Sequence, residues 1–115
     1  MQNTPGCEQF HTGKFSCRSE PDGVEYLVTR NDSIQTEHDL STGKIVNMKV
    51  KWTSPCSYEL TFLSTNEFVT DPSQEYSKTH PLKVKIIKRT NNYYIYSATM
   101  AGVNLKMTDT LRVSL

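Results

Sequence analysis

Apolar and polar residues alternate along most of the chain with a period of two, the spacing of strands with one dry and one wet face. The clearest case runs from Lys44 to Trp52. There Val46, Met48, Val50 and Trp52 share one face, and Asn47, Lys49 and Lys51 the other. Ser54-Pro55-Cys56 turns the chain into Tyr58, Leu60 and Phe62, which alternate with Glu59 and Thr61, so the two strands should pair antiparallel. Upstream, Val24 to Thr29 and Ser33 to His38 read as a hairpin about Arg30-Asn31-Asp32, because Asn and Asp suit turn conformations. Leu40 to Gly43 is a second turn with Gly43 in a left-handed position, and Lys14 to Cys17 is a further short strand.

Downstream, Leu82, Val84 and Ile86 alternate with Lys83 and Lys85, and Asn91-Asn92 turns into Tyr93 to Met100. That last stretch is β-prone on both faces and is expected to be central or covered twice. Ala101 to Asn104 turns again. Leu105 to Thr108 and Leu111 to Ser114 close the chain, read as one strand with a bulge near Asp109. Residues 65–80 break the rhythm. Asp71-Pro72-Ser73-Gln74 carries a helix N-cap, a proline in the first helical position and a glutamine three residues past the cap. It predicts one helical turn through Tyr76, ended before Pro81, within an irregular loop suited to a lid.

About eight short hairpin-linked strands, with no βαβ alternation, heptad or repeat, predict an all-β fold. The expected form is an antiparallel meander curled into a small barrel, because closure removes unpaired edges. A two-sheet β-sandwich is the alternative. The 115 residues make one domain, 1–115, with an N-terminal arm over 1–10.

Charge is balanced, 13 Lys+Arg against 12 Asp+Glu for a net +1, which argues against a phosphate-backbone binder. The basic strip Lys83, Lys85, Lys88 and Arg89 followed by Tyr93, Tyr94 and Tyr96 has the ingredients of a single-strand binder. Alternation makes those lysines an ordinary wet face, so no nucleic-acid partner is expected. No apolar run approaches ~18 residues, so no membrane span is expected. Aromatic content of 10% is too rich for a disordered chain.

Met1 is followed by Gln2, Asn3, Thr4 and Pro5 without an apolar leader. Such an opening fits a mature secreted chain carrying an initiator Met, or a frayed cytosolic end. Thr4-Pro5-Gly6-Cys7 lacks the apolar stretch that lipid attachment at Cys7 needs. Cys7, Cys17 and Cys56 form no CxxC pair and no zinc-like spacing. A Cys7–Cys56 bridge would tie the arm to the turn at Cys56 and leave Cys17 as a small buried hydrophobe. Three reduced thiols in a cytosolic protein are the alternative; the disulfide is favoured.

Reactive constellations are sparse. His11, His38 and His80 stand apart from one another and from the cysteines, so no metal site is expected. There is no G-x-S-x-G elbow and no phosphate-cradling glycine loop. Arg18 beside Cys17 could lower its thiol pKa, but a packed cysteine is the simpler reading. Glu25 and Glu37 could face each other on the polar side of the first hairpin, with Arg30 near its turn. No catalytic residue and no cofactor are expected.

Cys7, Phe10, Thr12-Gly13 and Phe15 form a Cys-x-x-Phe-x-Thr-Gly-x-Phe pattern. Arg30, Gln35 and Glu37 follow in a hairpin, then Lys51-Trp52, then Cys56, Tyr58 and Leu60. Over residues 6–63 the chain resembles small, uncharacterised, secreted proteins of Bacteroidetes. That resemblance implies a signal peptide ending close to Gln2, a secreted or periplasmic home and the Cys7–Cys56 pairing. Some members carry a type II topoisomerase label. Such an enzyme needs an ATPase module, a tyrosine-bearing cleavage module and metal-binding carboxylates, and nothing in these residues matches them. Thr12-Gly13-Lys14-Phe15 is distantly similar to the first strand of lipocalins and avidins, with Phe15 where their tryptophan stands.

The remaining signal is aromatic. Large rings in a small barrel either fill the interior or surround one small ligand. The expectation is a monomeric, non-enzymatic binder of a small apolar or aromatic ligand. Trp52, Tyr58, Phe62, Tyr94 and Tyr96 would line the site, residues 65–80 would gate it, and Trp52 emission would report it. The alternative is a protein-interaction module, such as a periplasmic hydrolase inhibitor or an envelope-assembly factor, working through the N-terminal arm or the 65–80 loop.

Overall fold

The structure, a computed structural model, describes residues 6–18, 23–68, 70–100, 102–103 and 105–114. The sequence readings at Met1 to Pro5, Ala101 and Asn104 lie outside them. Eight strands run β1 (Gly13–Arg18), β2 (Glu25–Arg30), β3 (Ile34–Asp39), β4 (Ile45–Ser54), β5 (Ser57–Thr65), β6 (Leu82–Arg89), β7 (Tyr93–Met100) and β8 (Leu105–Val113). Each pairs antiparallel with the next, and β8 returns to β1, so the meander closes into a barrel rather than a sandwich. The closing seam is short. Among the described residues Phe15↔Val113 and Ser16↔Arg112 pair across it, and Ser114 N donates to Lys14 O at 2.8 Å just beyond them.

The turns follow their side chains. Asn31 Oδ1 accepts the backbone N–H groups of Ser33 and Ile34, and Asp39 Oδ1 accepts those of Ser41 and Thr42. Gly43 takes φ +80°, a conformation a side chain would strain. The break at 65–80 contains one short helix, α1 (Pro72–Ser77), closed by the predicted capping box. Asp71 Oδ1 accepts from Gln74 N at 2.8 Å, and Gln74 Oε1 from Asp71 N at 3.0 Å.

Two local readings change. Strand β8 pairs with β7 in one unbroken register from Met100↔Leu105 to Tyr93↔Arg112, with no bulge at Asp109. The register shifts lie instead at Asn47/Met48 and Trp52/Ser54 in the β4–β5 pair and at Ile86/Lys88 in the β6–β7 pair. The first and third leave Leu63 and Ile87 without a ladder partner, which explains why these apolar residues are 46% and 54% exposed. Strand β7 is not covered twice: Tyr94 and Ala98 are buried, while Tyr93 is half-buried on the outer face with the Arg112 guanidinium 5.2 Å from its ring.

One end of the barrel is shut by the N-terminal arm. Cys7 is bonded to Cys56, Phe10 on a 3-10 turn (Glu8–Phe10) is wholly buried, and Gln9 Nε2 donates to Thr90 O at 3.2 Å. His11 Nε2 lies 2.9 Å from Pro55 O, and its ring stacks on Trp52 with centroids 3.6 Å apart. The bridge joins residues 49 apart in sequence, so breaking it frees a long loop of the unfolded chain. Replacing Cys7 and Cys56 by serine together should lower stability by about 4 kcal/mol on the chain-entropy model. Urea unfolding of the oxidised protein and the double variant checks this.

Candidate functional site

Period two in β2 carries Val28 and Arg30 to the same inner face, and Arg30 is only 4% exposed. A guanidinium cannot shed its charge, so its donors need partners. Nε and Nη2 donate to Gln35 Oε1 at 2.9 and 2.8 Å, and Nη1 donates to the carbonyl of Phe10 at 2.7 Å. Nη2 also donates to the hydroxyls of Tyr94, at 2.9 Å, and Tyr58, at 3.2 Å, which are themselves 2.8 Å apart. The rings of Tyr58 and Phe15 flank the cation at 4.8 and 5.0 Å. Burial opposes the Arg30 charge, but the tyrosine oxygens outweigh it and hold the guanidinium above its ordinary pKa. Burial raises the Tyr58 hydroxyl well above the usual tyrosine range, with Arg30 pulling the other way.

This cluster fills one half of the barrel. The other half holds a cavity of about 250 Å³. Its walls include Val28, Met48, Leu60, Val84 and Leu111, with Tyr58 and Tyr96 between the two halves and Met107 at the exposed rim. Three further groups face it: Glu37 of β3, Cys17 of β1 and Asp109 of β8. Gln35 Nε2 donates to Glu37 Oε2 at 2.9 Å, so Gln35 stands between the Arg30 cation and this carboxylate. The Cys17 thiol donates to Asp109 Oδ2 at 3.6 Å across the short β1–β8 seam, and Asp109 Oδ1 accepts Thr110 N–H at 2.8 Å. Cys17 and Asp109 also border a cleft on the outer side of that seam.

The electrostatics follow from placement. Burial pushes the Cys17 thiol up to about 12, and the nearby Asp109 and Glu37 add to it. The thiol is thus kept protonated, the reverse of activation by Arg18, whose Nη2 lies 2.6 Å from Glu25 Oε1 on the outer face. Burial raises the Glu37 carboxyl above its ordinary value, against the pull of Gln35 and Arg30. Tyr96 is raised by burial and by Cys17, Asp109 and Glu37, so it stays a neutral hydroxyl.

Of the five residues expected to line one site, Tyr58 and Tyr96 do line the cavity. Tyr94 lies wholly buried against Phe10, ring centroids 4.9 Å apart, in the filled half. Trp52 packs there too, between His11 and Tyr58. Phe62 is buried beyond the cavity, with Lys78 Nζ 6.0 Å from its ring. The structure therefore does not bring the five together: Tyr58 and Tyr96 stand at the cavity, Trp52 and Tyr94 in the filled half, and Phe62 outside both. Glu25 and Glu37 do not face each other: Glu37 is opposite Val28 and points inside, whereas Glu25 pairs with Arg18. Cys17 is half-buried at the cavity wall rather than enclosed.

Strand β3 misled the reading because its pattern is inverted. Gln35 and Glu37 face in while Ile34 and His38 are half-buried outside. The signal was present in register: Gln35 pairs with Arg30, which shares parity with Val28. Among the described residues no three His, Cys, Asp or Glu side chains converge as a metal ion needs. Lys83 and Lys85 are exposed outside while Tyr94 lies inside, so they form no common surface. Comparison with protein-family models, curated proteins and solved structures gives no match, and the fold and the cavity rest on their own geometry.

Replacing Arg30 by Met should cost at least about 3 kcal/mol, because the Phe10 carbonyl and Gln35 lose a donor, whereas Tyr94→Phe should cost about 1 kcal/mol. Denaturant midpoints for the two variants read the difference. For Glu37 the folded-state pKa is raised, so the native protein binds the proton more tightly than the unfolded chain. Its contribution to stability is present below the unfolded carboxyl pKa and is lost as pH rises through the folded value. The groups facing it are Arg30 and Gln35, with Cys17, Tyr96 and Asp109 also on the cavity wall. Glu37→Gln should therefore gain stability relative to the parent as pH rises above the ordinary carboxyl value of 4.5, and show no gain below it, measured by unfolding at a series of pH values.

Proposed function

We propose that this protein is a non-enzymatic binder of a small apolar or aromatic molecule, acting in a secreted or periplasmic setting. The observation that carries the reading is the division of the barrel. An arm, an arginine and several rings fill one half, while the other keeps a mostly apolar cavity of about 250 Å³. Typical ligand pockets span about 300–1,000 Å³, and an engineered apolar cavity of about 150 Å³ takes benzene. The space here thus favours a compact ligand of one ring or a short chain. A thiol held protonated, with no histidine on the cavity wall among the described residues, favours binding over chemistry. The disulfide supports an oxidising compartment, and no helix among the described residues is long and apolar enough to cross a membrane.

A second reading, the protein-interaction module, is favoured by one observation. Phe68, in the 65–80 segment, is fully exposed. The N-terminal arm is committed to closing the barrel, which leaves that segment as the surface such a module would use.

Native mass spectrometry without reductant, on protein from its own host, separates the readings. The carrier should appear two hydrogens lighter than the fully reduced chain, with a small-molecule adduct that Leu60→Trp removes by filling the cavity. An oxidised but bare chain would favour the interaction module. A reduced chain would contradict the proposed compartment.

A further inference from the structure

The cavity is apolar over most of its walls but carries two acidic side chains. Glu37 and Asp109 both line it, and no lysine, arginine or histidine does among the described residues. The nearest buried cation, Arg30, spends its donors on Gln35, Phe10, Tyr58 and Tyr94, and touches Glu37 only through Gln35. The outward-facing cations next to Asp109 are committed elsewhere: Arg18 to Glu25, and Arg112 over the Tyr93 ring. Among the described residues Glu37 accepts one hydrogen bond, on Oε2, which leaves Oε1 without a donor at the cavity wall. Glu37 and Asp109 are half-buried, so their carboxyl groups lose part of their water, and the apolar walls strengthen any charge that pairs with them. An occupant that supplied the missing positive charge would offset that loss.

The acids do not form a metal site, since among the described residues no three metal-ligating side chains converge, and the thiol that faces them holds its proton. The missing charge fits an organic cation with an apolar body. Met48, Tyr96, Leu60 and Val84 offer that body aromatic, sulfur and aliphatic contacts.

We propose that the cavity takes a small apolar or aromatic amine, bound as its ammonium between Glu37 and Asp109; this rests on the carrier reading above. The apolar part fills the space toward Leu60 and Val84. The ammonium donates to Glu37 Oε1 and to the Asp109 carboxylate. Burial raises the Glu37 carboxyl above its ordinary value, and a cation seated against Oε1 would pull it back down.

The test uses three probes of one skeleton at neutral pH: benzylamine, benzyl alcohol and benzoate. Methionine-methyl NMR reads binding at Met48 and Met107, both on the cavity wall. Trp52 emission cannot, because Trp52 lies in the filled half against His11. Benzylamine should bind about tenfold or more tightly than benzyl alcohol, the scale by which charged hydrogen bonds exceed neutral ones, and benzoate should bind least. Glu37→Gln and, separately, Asp109→Asn should each reduce the preference for amine over alcohol, with the folded state of each variant read from the dispersion of its methionine-methyl spectrum. Equal affinity for amine and alcohol, or a preference for benzoate, would overturn the amine assignment and leave the carrier reading standing. Failure of all three probes to shift either methionine would overturn both.

Discussion

The buried guanidinium of Arg30 is the constraint around which this barrel is arranged. A permanent cation that is 4% exposed must be surrounded by acceptors, and those around Arg30 come from four separate parts of the chain. Phe10 brings the N-terminal arm, Gln35 brings β3, Tyr58 brings β5 and Tyr94 brings β7. One side chain therefore joins the plug to three strands of the wall. The Cys7–Cys56 bond and the His11–Trp52 stack fix the outer rim of the same plug, so covalent, aromatic and charge-assisted contacts close one end together.

What that end consumes, the other end lacks. The arm, Phe15, Tyr94 and Trp52 supply the volume that fills half of the interior, and among the described residues nothing comparable fills the half bounded by Val28, Leu60, Val84 and Leu111. The cavity follows from this uneven filling. Its chemistry follows from the same arginine: Gln35 turns its oxygen to Arg30 and its amide nitrogen to Glu37, so a polar chain runs from the plug to the cavity wall. Across the cavity, the short β1–β8 seam places Cys17 against Asp109, the second acidic group. A barrel filled at one end, with two acidic side chains in an apolar space at the other, supports the proposed binding of a compact cation.

Most of the architecture was legible because strands with one dry face announce themselves by alternation. The turns at Asn31, Asp39 and Gly43 and the capping box at Asp71 follow from local side-chain chemistry, which does not depend on distant contacts. Bulges were not legible: Leu63 and Ile87 look like ordinary strand positions, and only the partner strand decides which residue is left over. The site was legible in part. Counting aromatic residues found Tyr58 and Tyr96, yet parity alone does not say which half of a barrel a ring occupies, so Trp52 and Tyr94 were grouped with them. The polar interior of β2 and β3 was hidden for a different reason. A buried Arg–Gln–Glu chain inverts the usual pattern, and its logic appears only when Arg30 and Gln35 are seen as cross-strand neighbours.

The central claim is that one half of this barrel is filled and the other is open. A crystal structure determined under xenon pressure tests it most directly, because xenon enters apolar space large enough to hold it and stays out of packed regions. The account predicts xenon between Leu60, Val84 and Leu111 and none around Phe10, Tyr94 and Arg30. Xenon at the Arg30 end, or an opposite half closed by inward movement of Met48 and Tyr96, would contradict it.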